Sequence, residues 1–326
     1  MLKEPLVSVI TPCYNGEKFL HRYFESILSQ TYSNIELIFI NDGSTDRTEE
    51  IALSYAPKLE EKGIDFIYIY QENSGQAAAI NQGLKIFKGE YLTWPDSDDW
   101  MSDDCLVKKV EFLIKNPDCA IVLCKTAKIA ENDTNHIIGY LERKNKSNGY
   151  IFEDLMLYND VSFAPGGYMV NSEKFLSTNK RREIYAGRGG QNWQMLLPIA
   201  HEYKCGFIDD VLYYYLVRSN SHSRESVTVE QRLNALQRYE ETLMQTLVRM
   251  EISDAQREKY ITAVKNKYIH DRFLLAIEFN DKKMLKHYYG ELKNCQQVTT
   301  KRRIQYIVFK SKIMSKVYNV FKSKKV

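Results

Sequence analysis

The sequence predicts an α/β fold in which a sheet of largely parallel strands is covered by helices on both faces. Two observations carry this prediction. Short apolar runs alternate with stretches whose apolar residues recur at helical spacing, as βαβ units require. The runs are apolar throughout, not at alternate positions, which is typical of strands buried on both faces.

The elements of the first 124 residues follow in order. The predicted strands are 6–11, 35–40, 64–70, 89–94 and 120–124. The predicted helices are 19–28, 47–59, an Ala-rich helix after Gly75, and one that begins at about Ser102. Each strand is rich in β-branched or aromatic residues and ends at a polar or proline-containing turn, which supports these assignments.

The rest of the chain is expected to be less regular and then helical. Residues 125–218 contain more Gly and Asn and are typical of substrate loops, whereas leucines at helical spacing predict helices from 230 to 292. We therefore predict one large domain in two halves, a helical region and a tail. Their bounds are 1–124 and 125–225, 226–300, and 301–326.

Charge and cysteine usage indicate the kind of partner and argue against zinc sites and disulfides. The net charge is +3, but the last 26 residues carry nine Lys or Arg and no acid, so the first 300 residues carry −6. Such a basic tail predicts an anionic partner. The six cysteines form no C-x-x-C pair, which favours reduced thiols over zinc or disulfides. Because no signal peptide and no apolar run of ~18 residues is visible, we expect a cytoplasmic protein.

Polar clusters follow three of the predicted strands, at 12–15, 42–44 and 96–99. The carboxyl ends of parallel strands meet at one edge, where ligands bind in α/β sheets. Carboxylates together with phosphate oxygens usually hold Mg²⁺ or Mn²⁺, so Asp96-Ser97-Asp98-Asp99 predicts a metal site for a phosphorylated ligand. The alternative is a polar turn that caps the following helix.

Five ordered blocks resemble family-2 glycosyltransferases of the GT-A fold. They are 7–15, 30–32, 36–46, 73–75 with Asn81, and 89–91 with 96–99. The resemblance covers about residues 5 to 225. It implies a Rossmann-like mixed sheet flanked by helices. The C-terminal helical extension that the leucine spacing predicts lies outside the match. It also implies transfer of a sugar from a nucleotide diphosphate donor, most often UDP-linked, with inversion at the anomeric carbon.

The resemblance also implies site residues in the nucleotide-sugar-binding half, 1–124. The donor-binding residues are Thr11, Pro12, Tyr14, Asp42, Asn73, Gly75, Asn81, Asp96 and Ser97. Thr11, Pro12 and Tyr14 would border the base and ribose. Asp42 would accept the uracil N–H, Asp96 would contact the ribose, and Asp98 would ligate Mn²⁺ or Mg²⁺ at the diphosphate.

Packing remains an alternative for several of these positions. Pro12 and Tyr14 would then only end a strand, and Asn73, Gly75 and Asn81 would only shape a helix entry. Ile80 stands where the family often has Arg.

The acceptor half, 125–225, departs from the family pattern. Where many members have an acidic pair before an aromatic residue, this chain has Gln191-Asn192-Trp193. Amides cannot take up a proton at neutral pH, so neither can be the general base. Gln191 and Asn192 are candidates for binding acceptor hydroxyls, with Trp193 packing or stacking on a sugar. Three explanations are open: another carboxylate is the base, with Asp160, Glu183, Asp209 and Asp210 nearest in sequence; the acceptor needs less activation; or the protein binds its donor without rapid transfer.

Residues 212–218, followed by 221–223, resemble the closing strand of the family and its loop over the diphosphate. Arg218 and His222 are expected to approach the phosphates, and His222 either completes the metal shell or is a solvated loop histidine.

The tail, 301–326, has apolar residues at helical spacing among its basic residues. This pattern predicts a basic amphipathic helix on an anionic membrane surface; the alternative is a terminal helix that packs on the body. No nucleic-acid-binding module is visible, so we expect no nucleic-acid partner.

We therefore predict a metal-dependent inverting glycosyltransferase that uses a UDP-sugar and a glycan or lipid-linked acceptor in cell-surface polysaccharide synthesis, peripheral at the inner membrane leaflet. The alternative is a non-catalytic nucleotide-sugar-binding partner of another transferase.

Overall fold

A computed structural model describes residues 4–144, 149–161, 164–187, 189–218 and 228–311. The described chain divides into two compact units. The first is Met1–Ser221 with Val248–Glu251, and the second is His222–Leu247 with Ile252–Val326.

The first unit contains a nine-stranded mixed sheet. Its strands are β1 (Val7–Cys13), β2 (Ile35–Asp42), β3 (Asp65–Gln71), β4 (Tyr91–Thr93), β5 (Trp100–Met101), β6 (Cys119–Ala130), β7 (Asp133–Leu141), β8 (Tyr168–Asn171) and β9 (Lys204–Val217). Their order is β3-β2-β1-β4-β8-β6-β9-β5, and β7 pairs with β6. The first four strands in this order pair in parallel. The predicted α/β class is therefore confirmed.

Helices cover this sheet. They are α1 (Leu20–Leu28), α2 (Thr48–Ser54), α3 (Ala56–Glu61), α4 (Gln76–Ile86), α5 (Cys105–Lys115), α6 (Phe152–Leu157), α7 (Ser172–Thr178) and α8 (Gln191–Glu202), with a 3₁₀ turn at Pro165–Gly167. The helix predicted at 47–59 is two helices. Pro57 lies in the first turn of α3, where its missing N–H interrupts the preceding helical ladder.

Burial explains why the first strands are apolar throughout. Every residue of β1 and β2 is buried, whereas β3 at the sheet edge is only partly buried. The register pairs Val7 with Ile35 and Cys13 with Asn41, so both strands end at the same edge. All six cysteines are free thiols, four of them buried.

The expectation of irregular loops over 125–218 was wrong for much of that range. The strand predicted at 120–124 is only the first part of the twelve-residue β6, which continues to Ala130 and pairs with β7 and β9. Strand β7 has a polar, mostly exposed sequence, because an edge strand does not bury both faces, and this concealed its pairing with β6.

The second unit is helical, as the leucine spacing predicts. Its helices are α9 (Val229–Arg249, which ends in the first unit), α10 (Asp254–Glu278), α11 (Lys282–Asn294) and α12 (Thr300–Lys310). Side chains cap three of them. Ser253 and Gln256 form a capping box on α10, and Asp281 and Thr299 cap α11 and α12.

Helix α12 is the described part of the predicted basic tail, and residues 312–326 lie outside the described residues. Within the described ranges, no helix is both long and apolar enough to cross a bilayer.

Candidate functional site

The predicted donor residues Thr11, Pro12 and Tyr14 lie at the carboxyl end of β1. Thr11 is fully buried and its hydroxyl bonds to the hydroxyl of Tyr23, so its side chain holds α1 against the strand. Pro12 is buried, whereas Tyr14 is 52% exposed. Of the three, Tyr14 alone offers an exposed ring to a ligand.

The loops after β1 and β2 are joined by hydrogen bonds. The backbone N–H of Asn15 donates to the Ser44 hydroxyl (2.9 Å), and Asn15 Oδ1 accepts from the N–H of Thr45 (2.9 Å). Asp46 Oδ2 accepts from the N–H of Glu17 (3.0 Å). These bonds join two segments about 30 residues apart into one rim of the site.

Asp42 organises the next part of this rim. Its Oδ1 accepts from Gln71 Nε2 (2.6 Å) and from the Ser74 N–H (2.8 Å), and its Oδ2 accepts from the Gly75 N–H (2.9 Å). The predicted donor residues Asp42 and Gly75 are therefore in contact, and Asn73 lies exposed beside them. Because Asp42 is only 3% exposed, its carboxylate has a clear structural role in addition to the predicted one.

Three carboxylates form the centre of the site. Ligand atoms of Asp96, Asp98 and Asp99 lie within 4.8 Å of one another. Asp96 Oδ1 accepts from Gln76 Nε2 (2.5 Å), and Ser97 is half-buried between Asp96 and Asp98. Burial and the neighbouring Asp98 charge raise the pKa of Asp96 to about 7.

Asp99, for which the sequence predicts no separate role, accepts hydrogen bonds from two residues of β9. It is fully buried, its Oδ2 accepts from the Tyr213 hydroxyl (2.8 Å), and its Oδ1 accepts from the Leu216 N–H (2.8 Å). Burial, then Asp98 and Asp96, raise its pKa well above the usual value. Asp99 therefore fixes the loop to β9.

Asp98 faces cations instead. Its Oδ2 lies 2.9 Å from Arg218 Nε as an ion pair without hydrogen-bond geometry, and its backbone carbonyl accepts from Arg22 Nη2 (2.9 Å). The Arg22 guanidinium lies 3.9 Å from the centre of the Trp100 ring. Arg218 thus approaches the carboxylate cluster, and the sequence prediction placed it near phosphates. His222 lies outside the described residues.

The carboxylate oxygens of this cluster are suitable ligands for a divalent cation. Hard oxygen ligands are clustered, and burial raises the pKa of Asp98 despite the lowering effect of Arg218. A divalent cation would relieve the repulsion among carboxylates that one ion-paired arginine leaves uncompensated. Since both Asp99 oxygens already accept protein hydrogen bonds, Asp96 and Asp98 are the better ligand candidates.

The amide positions at the start of α8 have structural partners. Asn192 is nearly buried and its Oδ1 accepts from Trp94 Nε1 (2.9 Å), two residues before Asp96. Trp193 is 7% exposed and its indole N–H donates to the Leu155 carbonyl (2.8 Å). Of the two predicted roles of Trp193, the structure therefore favours packing over sugar stacking. Gln191, half-buried at the first position of α8, is better placed for an acceptor.

Asn81 is likewise engaged by the backbone. Its Nδ2 donates to the Ile184 carbonyl (2.9 Å) and its Oδ1 accepts from the Ile184 N–H (2.8 Å). Gln194 forms the same reciprocal pair with Tyr185. These bonds fix the segment before α8, so the structural role of Asn81, inside α4, differs from shaping a helix entry. Only the fold could reveal them, because Asn81 and Ile184 are 103 residues apart.

The four candidate bases have separate surroundings. Asp210 is an exposed partner of Lys108 (2.6 Å), and Asp209 precedes it in a bulge of β9. The Tyr213 hydroxyl contacts Asp99, and Tyr213 is only three residues from Asp210, so position along β9 excludes neither carboxylate. Asp210 is a weaker candidate for the base because Lys108 already pairs with it. Asp160 Oδ1 accepts from the Lys144 N–H (2.9 Å), and Glu183 is exposed.

The model of the family described as glycosyl transferase family 2 matches residues 8–178. The chain belongs to this family.

Named relatives agree with this assignment. Glycosyltransferase GlyG of Streptococcus pneumoniae is 32% identical over 230 residues, which cover 67% of this chain and 73% of GlyG. Glycosyltransferase GlyA of the same organism is 30% identical over 256 residues, 72% of this chain and 34% of GlyA. The chain spans about a third of the length of GlyA and of two Rickettsia relatives.

Solved structures share the fold. TarS of S. aureus, residues 1–349 with UDP-GlcNAc, has a TM-score of 0.65 at 16% identity, covering 96% of this chain and 91% of TarS. The mannosyltransferase PcManGT of Pyrobaculum calidifontis, in complex with GDP-Man and Mn²⁺, has a TM-score of 0.53 at 16% identity, covering 98% and 88%. The predicted GT-A fold is confirmed.

Proposed function

We propose that this chain is a metal-dependent, inverting glycosyltransferase that moves a sugar from a UDP-sugar to a glycan or lipid-linked acceptor in cell-surface polysaccharide synthesis. The observation that carries the proposal is the cluster of Asp96 and Asp98 beside Arg218, at the sheet edge that also holds Asp42 and Tyr14. That edge would bind the nucleotide base, a metal ion and the diphosphate of the donor.

The donor assignment is supported by both structural neighbours, which bind UDP-GlcNAc or GDP-Man. Between the two nucleotides we propose UDP, which the sequence resemblance implies, with the Asp42 carboxylate facing the uracil N–H. The exposed Tyr14 ring would pack against the base or ribose, and Asp96 would bind ribose hydroxyls.

Asp98, with Asp96, would hold Mn²⁺ or Mg²⁺; when bound, the ion supplies Lewis-acid neutralisation of the departing diphosphate. PcManGT was solved with Mn²⁺, which supports this choice of ion. Arg218 supplies a second positive charge at the same place, and its guanidinium lies 5.2 Å from the centre of the Phe19 ring. Asp99 and Tyr213 keep the loop in position while ligands exchange.

On the acceptor side, Gln191 would hydrogen-bond an acceptor hydroxyl. Asn192 would hold Trp94 and so the start of the aspartate loop, residues 96–99. For the base that takes the proton of the attacking hydroxyl we propose Glu183 or Asp160 over Asp210, whose carboxylate is ion-paired with Lys108. A lipid-linked acceptor places the enzyme at the inner membrane leaflet, on its cytoplasmic side.

The test is a screen of UDP-sugars for Mn²⁺-dependent hydrolysis and transfer by wild type, Asp98→Asn and Asp103→Asn. Asp103 is the matched control, an exposed acid five residues along the same segment. We expect Asp98→Asn to lose at least ~100-fold in turnover and to lose the rise in melting temperature that Mn²⁺ with UDP gives the wild type.

Asp103→Asn should behave as wild type in both assays. Wild-type turnover retained by Asp98→Asn would refute the metal assignment. UDP binding without turnover on any donor and acceptor would instead support the non-catalytic alternative.

A further inference from the structure

Helix α12 has two different faces. On its inner face, Phe309 is 3% exposed, and the Tyr306 ring stacks on Tyr289 with centroids 3.8 Å apart and planes 5° apart. On its outer face, Ile304 and Ile307 are 57% and 56% exposed. The helix is therefore anchored in the second unit while it presents two large apolar side chains outward.

The outer face places cations on both sides of these isoleucines. At roughly 100° per residue, Ile304 and Ile307 lie about 60° apart around the helix axis. Exposed Lys301 lies about 60° beyond Ile304, and exposed Arg303 and Lys310 lie about 40° and 60° beyond Ile307. The helix contains no acidic residue. An apolar centre with cations at both margins is the pattern of a helix that lies in a bilayer interface.

Contacts within the second unit separate the outward cations from the inward ones. Arg302 turns inward, where its Nε donates to His270 Nδ1 (3.1 Å) and its Nη1 donates to Gln305 Oε1 (2.8 Å). Lys282 Nζ donates to the Lys310 carbonyl (3.1 Å), which adds a cation at the C-terminal end of α12. The positive charge of the outer face therefore comes from Lys301, Arg303 and Lys310, and Arg302 does not contribute to it.

We propose that this outer face, formed by Lys301, Arg303, Ile304, Ile307 and Lys310, binds the surface of a bilayer that contains anionic phospholipids. The isoleucines enter the boundary between headgroups and acyl chains, and the cations pair with phosphate groups around them. The inference rests on the proposed function for its setting, because a lipid-linked acceptor would lie at the same surface.

Charge makes two other occupants of this face unfavourable, residues 312–326 and a second copy of the chain. Residues 312–326 carry five lysines and no acid, so covering α12 with them would bring like charges together. A second copy would do the same, and two isoleucines offer far less apolar surface than the ~800 Å² per partner of a standard interface. An anionic bilayer complements both the charge and the apolar centre.

The experiment measures co-sedimentation of the full chain with vesicles of phosphatidylglycerol and phosphatidylcholine, or of phosphatidylcholine alone. We expect binding only to the anionic vesicles, and weaker binding as added salt shortens the screening length. Ile304→Ser/Ile307→Ser should lower the partition constant about tenfold. Lys301→Gln/Arg303→Gln should lower it about 25-fold, at about fivefold for each lost cation.

Matched controls lie in the first unit. Ile114 is a 55% exposed isoleucine on α5, and Lys85 and Lys88 are exposed lysines. Ile114→Ser and Lys85→Gln/Lys88→Gln should partition within twofold of wild type. Circular dichroism melting shows whether each variant is folded, and the charge variant tests the proposal even if the isoleucine variant unfolds.

Wild-type partitioning by both α12 variants would overturn the proposal and assign vesicle binding to residues 312–326. Equal binding to uncharged vesicles would overturn it as well. A wild-type dimer in light scattering that becomes a monomer in Ile304→Ser/Ile307→Ser would show that a second copy covers the face. Because Asp98→Asn should bind vesicles as wild type does, failure here is distinct from failure of the transferase assay.

Discussion

Removing the hydroxyl of Tyr213 tests how the aspartate loop is held. This fully buried hydroxyl donates to Asp99 Oδ2 (2.8 Å) and accepts from the Asp96 N–H (3.2 Å). Tyr213→Phe would leave a buried carboxyl oxygen and a backbone N–H without this partner. Leaving a buried polar group without a partner costs about 1–3 kcal/mol of stability. The 3.2 Å bond from the Asp96 N–H is the weaker of the two, so its loss should cost an amount at the low end of this range. We therefore expect a loss of about 2–4 kcal/mol in the free energy of unfolding.

The assay is urea denaturation followed by tryptophan fluorescence. All three tryptophans, Trp94, Trp100 and Trp193, belong to the first unit, so the signal reports on the unit that contains the site. The urea concentration at the midpoint of unfolding should fall, while the slope of the unfolding free energy with urea concentration stays constant. The affinity for UDP with Mn²⁺ should fall too, because the backbone of Asp96 is released.

Tyr214→Phe is the matched control. Tyr214 is the next residue of β9, half-buried, and its ring stacks on Trp100 with centroids 5.2 Å apart. The phenylalanine keeps this stack, so we expect a change within about 0.5 kcal/mol. If Tyr213→Phe cost no more than Tyr214→Phe, the hydroxyl would not hold the loop and the reasoning would be refuted.

Two further predictions concern the rim of the site. Gly43 has φ +72° and an added Cβ would lie 2.6 Å from Asn73 N, whereas Gly63 has φ +81° and open space around it. Gly43→Ala should therefore cost more than the ~1 kcal/mol expected of Gly63→Ala, as measured by urea denaturation, and equal costs would disprove the clash. Burial opposes ionisation of Asp46, but hydrogen bonds from Thr48 and the neighbouring loop outweigh it and lower its pKa. The stability that Asp46→Ala removes, about 1–2 kcal/mol at pH 7, should shrink near pH 3 as the wild-type carboxylate is protonated below its usual pKa; a loss independent of pH would contradict this.

The sequence by itself determined the class of fold and the location of the site. Apolar runs such as 35–40 bury both faces in any parallel sheet, and turn residues such as Asp42 and Asp96 follow them directly. Because parallel strands end at one edge, the order of strands and turns along the chain was enough to place three distant clusters together. Strand β7 escaped prediction because an exposed edge strand lacks the apolar pattern.

The tertiary structure decided what each polar side chain does. Three neighbouring aspartates are alike in sequence, yet Asp99 is held by Tyr213 and Leu216 while Asp98 faces Arg218. Those partners lie more than a hundred residues away, and local pattern holds no information about which partner a side chain meets. The division between a carboxylate that holds the loop and one that is available to a metal is therefore a property of the folded chain.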